Sequence, residues 1–195
     1  SYEIERRQVG ARNVEASRHA SRGRRAWRAA FKPNIRDKTP EGAETRANLA
    51  AIADVEQRKS NEMIGAELGY RYRESPVIWP EAGDGPPVDF MKYVPTSWPG
   101  ARLPHVWLAD GVALHDRIGD GYTLLRLAGA PADSTLLARA FARYRAPFTV
   151  LDVPDAGPRD VCGYDLLLIR PDLHVVWRGN HLPDVAKLAA VATGH

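Results

Sequence analysis

The apolar positions in the first third of the chain recur at the spacing of a helix, but they are few. Across residues 2–31 the apolar stripe is thin and charged residues are dense, which predicts an amphipathic helix that needs a partner. Prolines within residues 32–40 end this helix. Alanine and larger apolar residues then recur at helical spacing over residues 41–68, and Gly69 stands where a C-cap is expected. We therefore predict a helical arm over residues 1–69.

The pattern changes after Gly69. Residues 70–79 are rich in aromatic and β-branched side chains, which predicts a strand. Residues 80–104 are rich in proline and glycine and predict an ordered loop. Because a long loop in a compact protein is usually functional or covered by another domain, we interpret residues 70–104 as a connecting segment.

Regular alternation of strand and helix patterns begins at Tyr122. The predicted strands are 122–127, 148–153, 165–169 and 174–178, and the predicted helices are 134–145, 159–162 and 183–192. Two strands joined by a helix form a right-handed parallel unit, and the short link at residues 170–173 predicts an antiparallel hairpin. The order βαβαββα predicts an α/β fold, with a thioredoxin-like domain over residues 105–195.

The chain has one cysteine, Cys162, and this excludes chemistry that requires two or more thiols. A single cysteine excludes an intramolecular disulfide, a CxxC redox pair and a cysteine-rich zinc site. Where a thioredoxin would carry its nucleophile, residues 130–134 read APADS. We expect Cys162 to be a buried structural residue and the domain to lack thiol redox chemistry.

Other candidate chemistry is sparse. No glycine-rich nucleotide motif is present, and Gly119, Gly121 and Gly129 fit turns better than a phosphate-binding loop. The histidines are scattered and none form a metal pair at helical spacing: His19, His105, His115, His174, His181 and His195.

Four aspartates lie at or after the second strand of the domain, at an edge where α/β sheets bind ligands: Asp152, Asp155, Asp160 and Asp165. Helix capping and turns explain them as well or better. The sequence therefore assigns no catalytic, cofactor-binding or metal-binding residue.

Positive charge is concentrated at the start of the chain. Residues 1–36 contain ten Arg or Lys and three Glu, a balance of +7, which leaves −4 for the remainder. Such a segment could bind nucleic acid, but no nucleic-acid motif accompanies the arginines, so we do not expect that partner. No apolar run approaches the ~20 residues that cross a bilayer, and the start lacks the apolar segment of a secretory signal. We expect a soluble, cytoplasmic protein.

Several segments match the motifs of one enzyme family. Residues 99–111 read PGARLPHVWLADG, residues 121–126 read GYTLLR, and residues 167–179 read LLIRPDLHVVWRG. Residues 1–7 read SYEIERR and residues 68–72 read LGYRY. This set resembles the C-terminal part of the FAD-dependent aromatic-ring hydroxylases of the phenol 2-monooxygenase-like class, and departs from it at Gln8, where that family often has proline.

The resemblance implies a parent enzyme that uses FAD, NAD(P)H and O₂ to hydroxylate a phenolic or polyketide-like ring. The family's FAD motifs precede the SYExERR segment and have no counterpart in this sequence, so the resemblance places no cofactor ligand or catalytic residue here. It implies that the arm packs on a flavin domain, that a second copy of the chain is a further partner, and that this chain alone does not turn over. A stand-alone, non-catalytic thioredoxin-like binding or assembly protein is the alternative, and a nucleic-acid binder is the third hypothesis.

A helix with a thin apolar stripe is poorly held without its partner. In limited proteolysis of the isolated chain we therefore expect residues 1 to about 60 to be cut first, unless they dimerise, and residues from about 99 to 195 to persist. Uniform resistance of a monomer along its whole length would contradict this expectation.

Overall fold

The computed structural model describes every residue from Ser1 to His195. The chain divides into two compact units that interleave along the sequence. The first unit contains Ser1–Val9, Gly69–Pro87 and Val94–His195, and the second contains Gly10–Leu68 and Val88–Tyr93. The separate domains predicted for residues 1–69, 70–104 and 105–195 stay a prediction, because a compact unit need not fold by itself.

Helices form most of the second unit. Helix α1 spans Tyr2–Ala29, α2 spans Pro40–Asn61, α3 spans Ile64–Leu68, and a 3₁₀ turn at Pro33–Arg36 follows α1. The first predicted helix and the break after it are therefore confirmed. Gly23 of α1 lies so close to the carbonyl of Glu56 in α2 that a Cβ would overlap it, so only glycine permits this packing. No helix of the chain combines the length and the apolar character needed to cross a membrane.

The single helix predicted over residues 41–68 is wrong at Glu62 and Met63, where the helix is interrupted. The residues after the break take part in tertiary hydrogen bonds. The N–H of Ala66 donates to the carbonyl of Phe90 at 2.9 Å, and Arg12 donates to the carbonyls of Gly65 and Ala66, both at 2.9 Å. These contacts position α3, and helical periodicity along the sequence carries no signal for them.

The strand predicted for residues 70–79 does not form. Arg71 makes only an isolated antiparallel bridge to Ala101. Ser75 accepts the N–H of Val77 at 3.2 Å and so begins a turn. The aromatic side chains that indicated a strand pack on rings instead, with the ring centroid of Tyr72 at 4.5 Å from that of His174.

A four-stranded mixed sheet organises the first unit. Its strands are β1 (Tyr122–Leu127), β2 (Phe148–Val153), β3 (Leu166–Ile169) and β4 (Val175–Gly179), and its helices are α4 (Thr135–Arg143), α5 (Ala156–Cys162) and α6 (Val185–Thr193). The strand order is β2-β1-β3-β4. Strand β1 pairs parallel with β2 and antiparallel with β3, and β3 pairs antiparallel with β4. The predicted α/β class and the βαβαββα thioredoxin-like arrangement are confirmed.

Both faces of the sheet are covered, which explains why all four residues of β3 are buried. On one face Leu124 and Leu168 pack with Phe141 of α4 and Leu188 of α6. The opposite face buries a second cluster of side chains from β1, β3, α5 and the preceding loops: Leu103, Leu114, Leu125, Cys162, Leu167 and Ile169. The sheet is thus the centre of the core.

The segment before the domain covers the outer edge of β4. The N–H of Trp79 donates to the carbonyl of Val176 at 3.0 Å, and the N–H of Gly100 donates to the carbonyl of Val175 at 2.8 Å. Val175 in turn donates to the carbonyl of Ala101 at 2.9 Å. Residues 70–104 therefore satisfy backbone groups that would otherwise be unpaired at this edge.

A buried ion pair holds the first turn of α1 against the sheet unit. The guanidinium of Arg170 donates to both carboxylate oxygens of Glu5, at 2.5 and 3.3 Å, and Ser75 donates to the same carboxylate at 2.5 Å. Only 4% of the Glu5 side chain and 14% of the Arg170 side chain are exposed. Burial opposes the charge of Arg170, but the bond to Glu5 and the charge of Asp172 outweigh it and raise the pKa of the guanidinium.

Because Ser1–Val9 belong to the sheet unit, we expect the segment that is cut first in limited proteolysis to begin after Val9. Replacement of Glu5 by alanine would leave the charge of Arg170 buried and unpaired. We expect Glu5→Ala to lower the free energy of unfolding by about 3 kcal/mol, measured by urea denaturation.

The matched control is Glu3→Ala on the same helix turn. Glu3 pairs with Arg7 at the surface, where both side chains are about four-fifths exposed, so its loss should change the free energy of unfolding by less than about 0.5 kcal/mol. Equal effects of the two substitutions would show that the Glu5–Arg170 pair does not anchor the helix.

Candidate functional site

The loop between β1 and α4 lies where a thioredoxin carries its redox cysteines, and residues 128–134 contain no cysteine. Ala128 and Gly129 both adopt positive φ, at 50° and 73°, and turn the chain away from the strand. The carboxylate of Asp133 accepts the N–H of Thr135 at 2.9 Å. A negative charge of the chain itself therefore already lies at the N-terminus of α4.

Arg126 fixes this loop to the sheet. It lies beside Asp152 in the parallel register of β1 and β2, and its Nε and Nη2 donate to the two carboxylate oxygens at 2.6 and 2.7 Å. Its Nη1 donates to the carbonyl of Ala132 at 2.9 Å. The hydrogen bond from Arg126 lowers the pKa of Asp152, so this carboxylate is ionised and committed to a structural partner.

The other three aspartates of the predicted cluster have separate surroundings. Asp155 accepts the N–H of Ala109 at 3.1 Å and makes no side-chain bond to α5, although it stands at the N-cap of that helix. Asp165 accepts from Nε of Arg159 at 3.0 Å, and Asp160 is exposed on α5. The structure brings no ligand-binding cluster together from these residues, and their contacts are those of loop and helix ends.

Cys162 lies at the end of α5 with 3% of its surface exposed. Burial raises the pKa of its thiol from 9.0 to about 11, and the charge of Arg178 only partly offsets this. Its carbonyl accepts a hydrogen bond from Ser97 at 2.5 Å. A thiol that is buried and protonated at neutral pH is a packing residue.

The histidines, like the aspartates, form no ligand-binding cluster. His174 is buried, and its Nδ1 lies 3.0 Å from the carbonyl of Asp172. The ring centroids of His105 and His115 are 5.6 Å apart, and His105 also contacts the exposed ring of Trp107. No three His, Cys, Asp or Glu side chains are arranged to hold a metal ion.

The sheet unit contains a cleft of about 600 Å³. It is lined by residues 71–75, 78–81, 83–87 and 98–99, which include Trp79, Trp98 and four prolines beside charged side chains. This volume falls within the range of small-molecule sites, about 300–1,000 Å³. The cleft is formed by residues of the connecting segment, whose sequence predicted a strand followed by an ordered loop and no binding site.

Arg178 of β4 holds two residues that line the cleft, Glu81 and Trp98. Its Nε and Nη2 donate to the carboxylate of Glu81 at 3.1 and 2.6 Å, and its Nη1 donates to Ser97 at 3.1 Å. Its guanidinium carbon also lies 4.8 Å from the ring centroid of Trp98 and 4.6 Å from that of Tyr164. The hydrogen bonds and cation–π contacts fix both Trp98 and Glu81.

Arg71 has a different environment in the same cleft. Only 7% of its surface is exposed, its Nη2 donates to the carbonyls of Pro86 and Asp84 at 2.8 and 3.3 Å, and its Nε and Nη1 have no hydrogen-bond partner. Burial, aided by the charge of Arg73, lowers the pKa of its guanidinium. Sequence reasoning missed this residue, although its position between two aromatic residues, Tyr70 and Tyr72, was the available signal.

Comparison with known proteins gives one consistent result. The family model described as "Aromatic-ring hydroxylase, C-terminal" matches residues 96–194. The chain is 33% identical over 164 residues to the FAD-dependent monooxygenase apdD of Emericella nidulans. This alignment covers 78% of the present chain and 26% of that protein. It is 28% identical over 168 residues to a phenol 2-monooxygenase of Pseudomonas sp., with 75% of this chain and 27% of that protein covered.

The fold agrees with these sequence matches. The structure of the rebeccamycin biosynthetic enzyme RebC with reduced flavin superposes with a TM-score of 0.86 at 29% identity, and covers 99% of this chain and 36% of that chain. The present chain thus spans about a quarter to a third of the length of these relatives. The motifs, the thioredoxin-like sheet and the agreement over nearly the whole chain show that it belongs to the aromatic-ring hydroxylase family of FAD-dependent monooxygenases and corresponds to its C-terminal part.

Proposed function

We propose that this chain serves as the C-terminal part of a cytoplasmic monooxygenase that hydroxylates a phenolic or polyketide-like ring with FAD, NAD(P)H and O₂. Support comes from the relatives, whose names include FAD-dependent monooxygenase and phenol 2-monooxygenase. The chain spans only about a quarter of their length. The residues that bind the cofactors and the substrate would then lie in parts of the parent that align outside this chain.

The residues of this chain do not fit a flavin dinucleotide. A pyrophosphate is usually held by free N–H groups at a helix N-terminus after a glycine-rich turn. Here Asp133 accepts the N–H of Thr135, the first residue of α4, and Asp184 accepts the N–H groups of Ala186 and Lys187, both at 3.0 Å, at the start of α6. Both carboxylates would repel a phosphate, so we assign no step of flavin chemistry to these residues.

The role of the segment itself is structural, and the Glu5–Arg170 ion pair is the observation that carries this proposal. It joins residues 165 positions apart and fixes the first turn of α1 relative to the thioredoxin-like sheet. We propose that in the parent this pair holds the thioredoxin-like domain in place on the flavin domain. The exposed surfaces of the same domain would supply contacts to a second copy of the enzyme.

Titration of FAD with the purified chain tests the proposal that this chain is structural and that FAD is bound elsewhere in the parent. We expect no saturable quenching of flavin fluorescence, because carboxylates of the chain already occupy the starts of α4 and α6. The same titration with the chain unfolded in urea corrects for unspecific quenching by tryptophan. Saturable, tight binding by the folded chain would contradict the proposal and favour a protein that works alone.

The buried thiol gives a second test, which concerns the loss of redox function. With a pKa near 11 in place of 9.0, Cys162 should react with iodoacetamide at pH 8 at least about 100-fold more slowly in the folded chain than in urea. The raised pKa also means that the folded state resists ionisation of the thiol. The stabilisation is complete below pH 9 and is lost as the pH rises towards 11.

Urea denaturation between pH 8 and 11 checks the sign of this effect. The Cys162→Ala variant removes the thiol, and its free energy of unfolding should fall less steeply over this window than that of the unmodified chain. Rapid alkylation of the folded chain at pH 8 would show instead that Cys162 is accessible and reactive.

A further inference from the structure

We propose that the cleft around Arg71 binds a small carboxylate that has one negative charge and a flat apolar body, and that Arg71 is the residue that holds the carboxylate. The inference rests on an unsatisfied cation, on the shape and composition of the cleft, and on the segment that closes over it. It is independent of the flavin chemistry of the parent.

The unsatisfied hydrogen-bond donors of Arg71 are the first argument. A guanidinium has five N–H donors, and a buried charged group is normally paired or fully hydrogen-bonded. Here two backbone carbonyls share Nη2, while Nε and Nη1 have no acceptor at all. A carboxylate accepts two parallel N–H bonds, either from Nε and Nη2 or from Nη1 and Nη2, so it would satisfy one of the two unpaired nitrogens together with Nη2.

No carboxylate of the chain fills this role. Glu81, which lines the same cleft, is engaged by Arg178 through both of its oxygens. Asp84 bonds Arg71 through its backbone carbonyl, at 3.3 Å, rather than through its side chain. The other cation that lines the cleft, Arg73, is exposed. No side chain of the chain accepts a hydrogen bond from Nε or Nη1 of Arg71, and we infer that an external ligand supplies the acceptor.

The lining of the cleft defines the class of ligand. Trp79, Trp98 and the neighbouring prolines offer flat apolar surface, and aromatic side chains stack well on planar groups. Glu74, Glu81 and Asp84 also line the cleft and would repel a second negative charge. This balance favours a planar monocarboxylate over a phosphate that carries two charges.

Entry of the ligand requires the segment around Gly85 to move. Gly85 has a φ of 67°, and a Cβ at this position would overlap Nη1 of Arg71 and the ring of Trp98. The glycine thus closes directly over the unpaired donor. In the bound state the carboxylate replaces the carbonyls of Asp84 and Pro86 as the acceptor of Arg71, and residues 83–87 shift outwards.

Calorimetric titration of the whole chain with benzoate tests the proposal, with tryptophan fluorescence as a second readout. Benzamide has the same shape without the charge, and inorganic phosphate has charge without the flat body. We expect saturable binding of benzoate and affinities at least about tenfold weaker for benzamide and phosphate, in line with the strength of charge-assisted hydrogen bonds. Equal affinity for benzoate and benzamide, or no saturation with benzoate, would overturn the proposal.

Two variants assign the binding to this cleft. Arg71→Gln should weaken benzoate binding at least about tenfold, whereas Arg139→Gln, which makes the same change of charge on the exposed face of α4, should leave it unchanged. Gly85→Ala strains the closed segment and favours the open one, so it should bind benzoate about fivefold more tightly.

Circular dichroism of each variant shows whether it is folded. If Arg71→Gln fails to fold, the contrast between benzoate and benzamide and the response of Gly85→Ala still decide the question. Equal loss of affinity in Arg71→Gln and Arg139→Gln would mean unspecific attraction to positive charge. Unchanged or weaker binding by Gly85→Ala would rule out the opening step and, with it, this site.

Discussion

The buried ion pair between Glu5 and Arg170 is the constraint on which the arrangement of the sheet unit depends. Arg170 also contacts the carboxylate of Asp172 at 2.9 Å and lies over the ring of Tyr72 at 5.3 Å. Through these contacts the first turn of α1, the segment after Gly69 and the hairpin between β3 and β4 meet at one point. A buried charge is tolerated only with its partner. Loss of the ion pair would therefore loosen all three segments at once.

Arginine serves four different purposes in this unit. Arg170 joins distant segments, Arg126 closes the loop where a thioredoxin would carry its cysteines, and Arg178 fixes the walls of the cleft with Glu81 and Trp98. Each of these three has a carboxylate partner. Arg71 alone among them has none, and this contrast with the other three is what makes its cleft a candidate binding site.

The sheet and its helices could be predicted from the sequence because their signals are local. Each strand of the domain is a short apolar run between turn residues, and the predicted arrangement needs only the right-handed crossover rule and the short hairpin link at residues 170–173. Helix α5 begins at Ala156, three residues earlier than predicted. Pro158 obscured this start, although proline is tolerated in the first turn of a helix.

The features that sequence reasoning missed depend on contacts between distant residues. Aromatic residues after Gly69 suit a strand by composition, but they pack on His174 and Arg170 instead. Glu5 lies on the same stripe of α1 as the buried residues Val9, Ala16 and Ala20, and its partner is 165 residues away. The unpaired nitrogens of Arg71 depend on where Gly85 lies, and no local pattern encodes that position.

The covering of β4 by residues 79 and 100–101 has a consequence for how the sheet can grow. Because backbone groups at the β4 edge are already hydrogen-bonded to residues 79 and 100–101, a strand from another chain cannot pair with them. Strand β2 is the other outer strand of the sheet. Any β-augmentation of this domain, productive or amyloid-like, would therefore proceed from β2 in one direction only.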